Sequence, residues 1–254
     1  MNISPKFFAA VLVSLVTAVM IWVDPIPQDL NYHLFADGET KLGVSNFWNV
    51  MSNVPFLIVG FMGVTALQKN KLNVSASFKL YYWVFFVGII LVGLGSAWYH
   101  LEPNNQTLVW DRLPMTIAFM AFFAVIVAEH VDEKMGKSLF WPLLLAGLMS
   151  IVYWQYSESI GAGDLRWYAL VQFLPLILIP LIFMLYPRPY SQTKLLWLFL
   201  GMYVLAKLLE HFDGEIFRAI VLISGHSLKH IAAAIGIWLY YCYLSKRTKL
   251  DLIN

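Results

Sequence analysis

The sequence contains little cysteine and little charge. Cys242 is the single cysteine, which excludes a disulfide within the chain and any zinc site built from several thiolates, so a bound metal would need histidine and carboxylate ligands. Charged residues make up 13% of the 254 residues, and the formal net charge is +2. This balance, without a basic patch interleaved with aromatics, argues against nucleic acid as a partner.

Apolar residues dominate instead. They account for 60% of the chain, and the mean hydropathy is +0.68, whereas soluble domains are roughly 45 to 50% apolar. A helix needs roughly 17 to 25 apolar residues to cross a hydrocarbon core of about 30 Å. Eight runs meet this length, and we therefore predict an all-α integral membrane protein; the runs are 7–23, 47–67, 79–101, 113–131, 139–156, 166–186, 193–212 and 218–244.

The first run follows Lys6, as the apolar part of a signal peptide would. It ends between Ile21 and Pro25 without a small-x-small cleavage site, so we expect an uncleaved helix. With a cytoplasmic N-terminus, eleven Lys and Arg residues fall on the inner side and four on the outer side. This bias predicts that both termini are cytoplasmic. The four outer ones are Lys41, Arg112, Arg166 and Arg218.

Three histidines, His100, His226 and His230, lie in these apolar runs. Ionisable groups inside a bilayer are expensive and are usually functional. His226 and His230 are four residues apart, so on a helix they stand about one turn apart on one face, close enough to share a metal. Ser96 and His100 repeat this spacing.

The connections predict that these histidines meet. His100 ends the third run, and residues 102–105, with one proline and two asparagines, predict a turn after which Asp111 opens the fourth helix near the level of His100. Four runs separate His100 from the pair in the eighth run. An even number of crossings returns the chain to the same side, so we expect all three histidines in the extracytoplasmic half.

This group of residues suits a zinc hydrolase. Three neutral imidazoles that leave a fourth position open form a known catalytic zinc site, in which the pKa of the bound water falls to about 7. Asp111 would then be the general base and later the acid that protonates a leaving amine. Ser96 would donate a hydrogen bond to the developing oxyanion or orient the water.

The same residues resemble the pattern of the alkaline ceramidases, which belong with the progestin and adiponectin receptor relatives to a wider group of seven-helix membrane hydrolases. The pattern is a Ser, a His four residues later, an Asp eleven residues beyond it, and a late H-x-x-x-H. The text that carries it is Gly95-Ser96-Ala97-Trp98-Tyr99-His100, Trp110-Asp111-Arg112-Leu113-Pro114-Met115 and Gly225-His226-Ser227-Leu228-Lys229-His230, with Asn46-Phe47-Trp48-Asn49 and Ser52-Asn53 similar to the first core helix.

The resemblance implies a seven-transmembrane-helix bundle, to which this chain adds one N-terminal transmembrane helix. Residues 1–45 would be that helix and an extracytoplasmic loop, and residues 46–254 would be the hydrolase domain. It further implies a zinc ion (Zn²⁺) held by the three histidines, catalytic support from Asp111 and Ser96, and hydrolysis of the linear amide of ceramide or a related N-acyl lipid.

Eukaryotic members of the family bind calcium through an acidic N-terminal segment, and this chain departs from it. The residue before Phe47 is Asn46 rather than Glu, and Asp37 and Glu39 have a different spacing. We therefore do not predict a calcium site.

Simpler roles compete with the catalytic ones. Asp111, with Pro114 following, also fits a helix N-cap, and Ser96 lies among small residues that favour close helix packing. At the end of the seventh run His211 is the main rival ligand, and we expect it to orient a zinc-bound imidazole or to pair with headgroups instead, together with Glu210 and Asp213.

For three further residues the sequence predicts roles other than metal binding. Lys229 is expected to extend to the interface or to pair with an acid such as Glu215. His33 is expected to be a solvated loop residue, and His130 lies on the cytoplasmic side, away from the predicted site.

Two other functions remain open. The chain would also suit a lipid receptor or sensor with a structural zinc, or a hydrolase of another lipid amide or ester. A transporter with a proton relay would need charged pairs near the midplane and internal repeats with broken helices, and the sequence has neither feature.

Overall fold

The computed structural model describes residues 5–250. Within that range it contains ten α-helices, two short 3₁₀ turns and, in place of strands, two isolated bridges. The helices are α1 (Pro5–Trp22), α2 (Phe47–Met51), α3 (Val54–Gln68), α4 (Lys79–Leu101), α5 (Asn105–His130), α6 (Glu133–Ser159), α7 (Arg166–Leu185), α8 (Thr193–His211), α9 (Asp213–Ile220) and α10 (Gly225–Lys246).

The all-α integral membrane class is confirmed. Among the described residues, five spans are long and apolar enough to cross a membrane: α2 with α3, and α4 to α7. The pair α8–α9, bent by 77°, makes a sixth if it counts as one span. The portion Val13–Trp22 of α1 is also apolar, and α10 carries His226, Lys229 and His230, whose polarity lowers its hydropathy.

The apolar helices turn much of their surface outward. In the most apolar part of α6 only 28% of the residues are buried, and large apolar side chains such as Trp141 and Leu145 are exposed. A soluble monomer rarely exposes so much contiguous apolar surface, whereas lipid covers it at no cost. The protein is therefore a multi-pass membrane protein.

The turn between α4 and α5 forms where the sequence predicts it, but α5 begins earlier than expected. Asn104 is the N-cap, and its side chain accepts hydrogen bonds from the amides of Gln106 and Thr107. In return the hydroxyl oxygen of Thr107 accepts a hydrogen bond from the backbone amide of Asn104, which completes a capping box. Asp111 therefore lies inside the helix, so its interpretations as the residue that opens the helix and as its N-cap are both wrong.

Helices α4 and α5 approach each other closely at Gly95. A Cβ atom at this position would lie 1.8 Å from the carbonyl oxygen of Trp110. Pro114, four residues later, has no amide hydrogen to donate to that carbonyl. The absent side chain and the absent donor together let the two backbones touch, and the contact sets Ser96 beside Asp111.

The eighth predicted run divides into two helices. The short helix α9 ends at Val221, which has a φ of 63°, and α10 begins at Gly225 with Ser224 as its N-cap. The expectation of a continuous helix from residue 218 is wrong, because the left-handed residue ends α9 and the Ser224 side chain caps a new start.

Candidate metal centre and active site

Three histidines converge on one point, as the topology predicts. His100 lies in the last turn of α4, and His226 and His230 lie in the first two turns of α10. Their exposed fractions are 1%, 5% and 5%. One ligand atom from each ring lies within 4.8 Å of the other two, and the ring centroids are 4.9 to 5.0 Å apart.

The spacing of the nitrogens fits a metal. The Nε2 atoms of His100 and His226 are 3.3 Å apart. Two imidazole ligands on a tetrahedral zinc, each about 2.0 to 2.1 Å from the ion, stand about 3.3 to 3.4 Å apart. The Nδ1 atom of His100 is buried without a hydrogen-bond partner, so this ring is held in place by its neighbours and by whatever its Nε2 atom binds.

A hydrogen-bond chain orients His230. The hydroxyl of Ser52 donates to the carbonyl of Asn49, at 3.2 Å, and lies 2.8 Å from Nδ1 of His230. Because its proton is already committed, the hydroxyl accepts from Nδ1–H, which leaves the lone pair on Nε2 for a ligand. Partners of this kind fix the tautomer and the ring direction of metal-binding histidines.

The other α10 histidine is held from its backbone. The carboxylate of Asp213 accepts a hydrogen bond of 2.6 Å from the His226 amide and one of 3.1 Å from the amide of Ala36. Glu210 forms ion pairs with Lys229 at 2.6 Å and with Lys207 at 2.8 Å. Both acids therefore support the start of α10 without binding the histidine rings themselves.

The loop before α2 covers His100 and His226. The ring of Phe35 lies 4.7 Å from that of His100 and 4.6 Å from that of His226, measured between centroids. The side-chain amide of Asn46 donates to the backbone carbonyl of His100 at 2.8 Å. Burial raises the pKa of the Asp37 carboxyl, against the lowering effect of a bond from the Glu39 amide. This cover excludes water from one side of the site.

Ser96 and Asp111 lie next to each other on α4 and α5. Both are buried, and their side chains are close neighbours. Together with His230 they line a cavity of about 500 Å³. The predicted catalytic pair is thus present at the same end of the bundle as the three histidines.

The cavity is polar at one end and apolar along the rest of its length. Its polar wall also includes Arg112 and Lys229. The volume lies in the range of small-molecule sites, and the apolar wall suits an acyl chain; it includes Phe85, Ile89, Phe119, Phe122, Phe199 and Ile237.

Other sequence expectations have mixed outcomes. His211 is exposed and contacts the ring of Phe212, and none of its described contacts involves the three histidines. His33 is not solvated, because its ring nitrogens lie 2.8 Å from the hydroxyl of Tyr99 and 2.9 Å from the side-chain oxygen of Asn105. The acid that pairs with Lys229 is Glu210 rather than Glu215, because the side chain of Glu215 faces Arg218 on α9.

Sequence reasoning missed the supporting residues Phe35 and Ser52. Phe35 lies in a loop, where no periodicity marks its direction. A signal for Ser52 was present, because Asn49, Ser52 and Asn53 interrupt an apolar run, and polar groups inside a membrane need partners.

Comparisons with known proteins identify the family of the chain. The family model described as Ceramidase matches residues 40–250. A protein of Dictyostelium discoideum, whose name, alkaline ceramidase dcd3A, is itself provisional, is 27% identical over 119 residues. That alignment covers 40% of this chain and 41% of the relative, so the chain spans less than half of the length of this curated relative. The family model, by contrast, takes in all three histidines, Ser96 and Asp111, and the chain belongs to the ceramidase family.

Proposed function

We propose that this protein is a zinc-dependent membrane hydrolase that cleaves the amide bond of ceramide or a related N-acyl lipid. The observation that carries the proposal is the buried triangle of His100, His226 and His230, beside a lipid-sized cavity that Ser96 and Asp111 also line. Membership of the ceramidase family supports the same reaction class.

The ligand set favours zinc. Three imidazoles without a thiolate are typical of catalytic zinc, although imidazole also binds copper, nickel and iron. Bound zinc supplies a Lewis acid that makes water nucleophilic near neutral pH.

Asp111 transfers a proton during the reaction, and Ser96 stabilises the negative charge that develops on the substrate oxygen. The Asp111 carboxylate takes the proton of the attacking water and returns it to the amide nitrogen as the C–N bond breaks, which releases a fatty acid and an amine. The Ser96 hydroxyl, beside Asp111 on the wall of the cavity, is placed to stabilise the oxygen on which negative charge develops. The contact between Gly95 and Trp110 keeps these two side chains together.

The cavity holds the lipid. Its apolar wall takes the acyl chain, and its polar end places the amide near the catalytic pair. A substrate dissolved in the bilayer would reach it laterally, between helices. The charge bias of the loops supports cytoplasmic termini and a metal site toward the extracytoplasmic side.

Hydrolysis of a short-chain fluorescent ceramide by the purified full chain tests the proposal. We expect turnover with about one zinc per chain, and loss of turnover with retained zinc and fold for Asp111→Asn. Glu133→Gln, an exposed carboxylate at the other end of the bundle, is the matched control and should keep full activity. If zinc is bound but no lipid amide or ester is cleaved, the proposal is wrong and a sensor with a structural metal takes its place.

A further inference from the structure

The cavity wall includes a cation, Arg112, that has no anionic partner among the described residues. It lines the polar end of the cavity and is 6% exposed. Among the residues that the structure describes, no carboxylate lies within ion-pairing distance of its guanidinium, and its Nη1 atom is buried without a hydrogen-bond acceptor. A buried charged donor left without an acceptor is costly, so the position favours a bound group that supplies one.

Aromatic rings fix the guanidinium in place. Its central carbon lies 4.6 Å from the ring centre of Trp154, 4.8 Å from that of Tyr168 and 5.4 Å from that of Tyr32. Trp154 is itself held, because its indole N–H donates to Glu158 at 3.1 Å. Rings attract the face of a guanidinium, while its N–H donors at the edge remain available to a planar acceptor.

The carboxylates of the cavity wall have contacts other than Arg112. Glu210 forms ion pairs with Lys207 and Lys229, and Asp111 lies beside Ser96. Asp29 is exposed and accepts a bond from the amide of Asn31. Among the described residues of the wall, Arg112 is thus the cation that no carboxylate pairs with.

We propose that Arg112 binds a carboxylate on the amine side of the substrate, so that the protein acts on N-acyl amino acid lipids as well as, or in preference to, neutral ceramides. One carboxylate balances the single charge of Arg112, whereas a phosphate monoester, with about 1.5 to 2 negative charges near neutral pH, would exceed it. Arg112 follows Asp111 on α5, and both residues line the polar end of the cavity. A group held by Arg112 would therefore lie at the same end of the cavity as the scissile amide. This inference rests on the proposed amide hydrolysis.

A matched pair of substrates tests it. N-lauroyl-serine carries a carboxylate where N-lauroyl-serinol carries a hydroxymethyl group, and the two are otherwise the same. We expect the purified full chain to have a kcat/KM about 10- to 100-fold higher for the serine lipid, the effect of one charge-assisted hydrogen-bond pair. Arg112→Met should remove this preference by raising the KM for the serine lipid far more than the KM for the serinol lipid, and Arg112→Lys should keep part of it.

Binding can be separated from turnover. In metal-stripped protein, N-lauroyl-serine should raise the thermal unfolding temperature more than N-lauroyl-serinol does, and Arg112→Met should abolish the difference. A purely structural Arg112 would instead lower stability and affect both lipids equally, which overturns the inference. So would equal kcat/KM values of wild type for the two lipids, even if Arg112→Met does not fold.

The outcomes distinguish the two proposals. Cleavage of short-chain ceramide with equal rates for the serine and serinol lipids overturns the role of Arg112 and leaves the hydrolase intact. Failure to cleave ceramide and both N-lauroyl lipids overturns the hydrolase, and the inference fails with it.

Discussion

Two buried polar clusters lie at opposite ends of the helix bundle, and they are built in opposite ways. The histidine cluster (His100, His226, His230) joins the end of α4 to the start of α10. The arginine cluster joins the start of α4, the end of α5 and the residue after α10; it consists of Tyr82, Glu129, Arg247 and the carbonyl of Asn73.

The arginine cluster supplies acceptors for its own hydrogen-bond donors. Both Nη atoms of Arg247 donate to Glu129 at 2.7 Å, and its Nε donates to the carbonyl of Asn73 at 2.7 Å. Tyr82 donates to the same carboxylate at 2.5 Å. Each strong donor has an acceptor within the chain, so nothing further can bind without breaking a bond. Such a network specifies and holds a structure.

The histidine cluster leaves its bonding capacity unused. Nε2 of His230 is directed inward by Ser52, and Nε2 of His226 faces that of His100 at 3.3 Å. Neutral imidazoles have one donor each, so the contact between the two Nε2 atoms uses the donor of one ring, and Nδ1 of His100 has no hydrogen-bond partner among the described residues. Since an unsatisfied buried group costs free energy, the difference supports the proposal that a ligand from outside the chain completes the histidine cluster.

Of the substitutions that test this difference between the two clusters, removal of a histidine should have the largest effect. His226→Ala should lower the metal content from about one ion per chain to near zero and reduce amide hydrolysis by more than about a thousandfold, because the water nucleophile is no longer activated. Elemental analysis and the ceramide assay measure the two effects. A chelator should lower the unfolding temperature of wild type but leave that of the variant unchanged, since only the wild type has a bound metal to lose.

His211→Ala is the matched control. This histidine lies close to the site in the chain but is exposed, and its ring contact is with Phe212. Metal content and hydrolysis should match those of wild type. Loss of metal in this variant would show that a different set of histidines binds the ion.

The arginine cluster should respond through stability alone. Arg247→Met leaves the Glu129 carboxylate buried and unpaired, and we expect a loss of about 3 to 5 kcal/mol in the free energy of unfolding. Combining it with Glu129→Leu should recover part of that loss, because the stranded charge is removed. Detergent-induced unfolding measures the stability, and zinc analysis on the folded fraction should still give about one ion per chain. A loss of metal at unchanged stability would contradict the structural role.

Much of the fold follows from local patterns. The eight apolar runs each contain a helix, because run length and the need to satisfy backbone groups in lipid leave few other structures. The errors fall at helix ends. The start of α5 depends on the capping pair Asn104 and Thr107, in a polar stretch that hydropathy excludes from the run. The break before α10 depends on a left-handed Val221, a conformation that the residue type disfavours.

The residues of the site also divide into those that local patterns predict and those that depend on tertiary contacts. The histidines, Ser96 and Asp111 were predictable, because spacing on a helix and an even number of crossings determine which side chains meet. Phe35 and Arg112 were not. The position of Phe35 depends on how a loop folds over the bundle, and the partners of Arg112 come from the loop before α2 and from α6 and α7, so no sequence spacing connects them.

Ser52→Ala should have the smallest effect of these substitutions. It tests whether Ser52 sets the direction of the Nε2 lone pair of His230. Without the hydroxyl that accepts from Nδ1–H, His230 can take the other tautomer or rotate, and we expect the metal affinity to fall about 10- to 100-fold, as for other partners of metal-binding histidines. Titration with a competing chelator measures this affinity. Ser150→Ala is the control, because its buried hydroxyl also donates to a backbone carbonyl, that of Gly147, away from the site. If Ser52 only fills space, both variants should lose similar stability and keep the metal affinity of wild type. If it orients the ligand, the variants separate in metal affinity even where their unfolding temperatures agree.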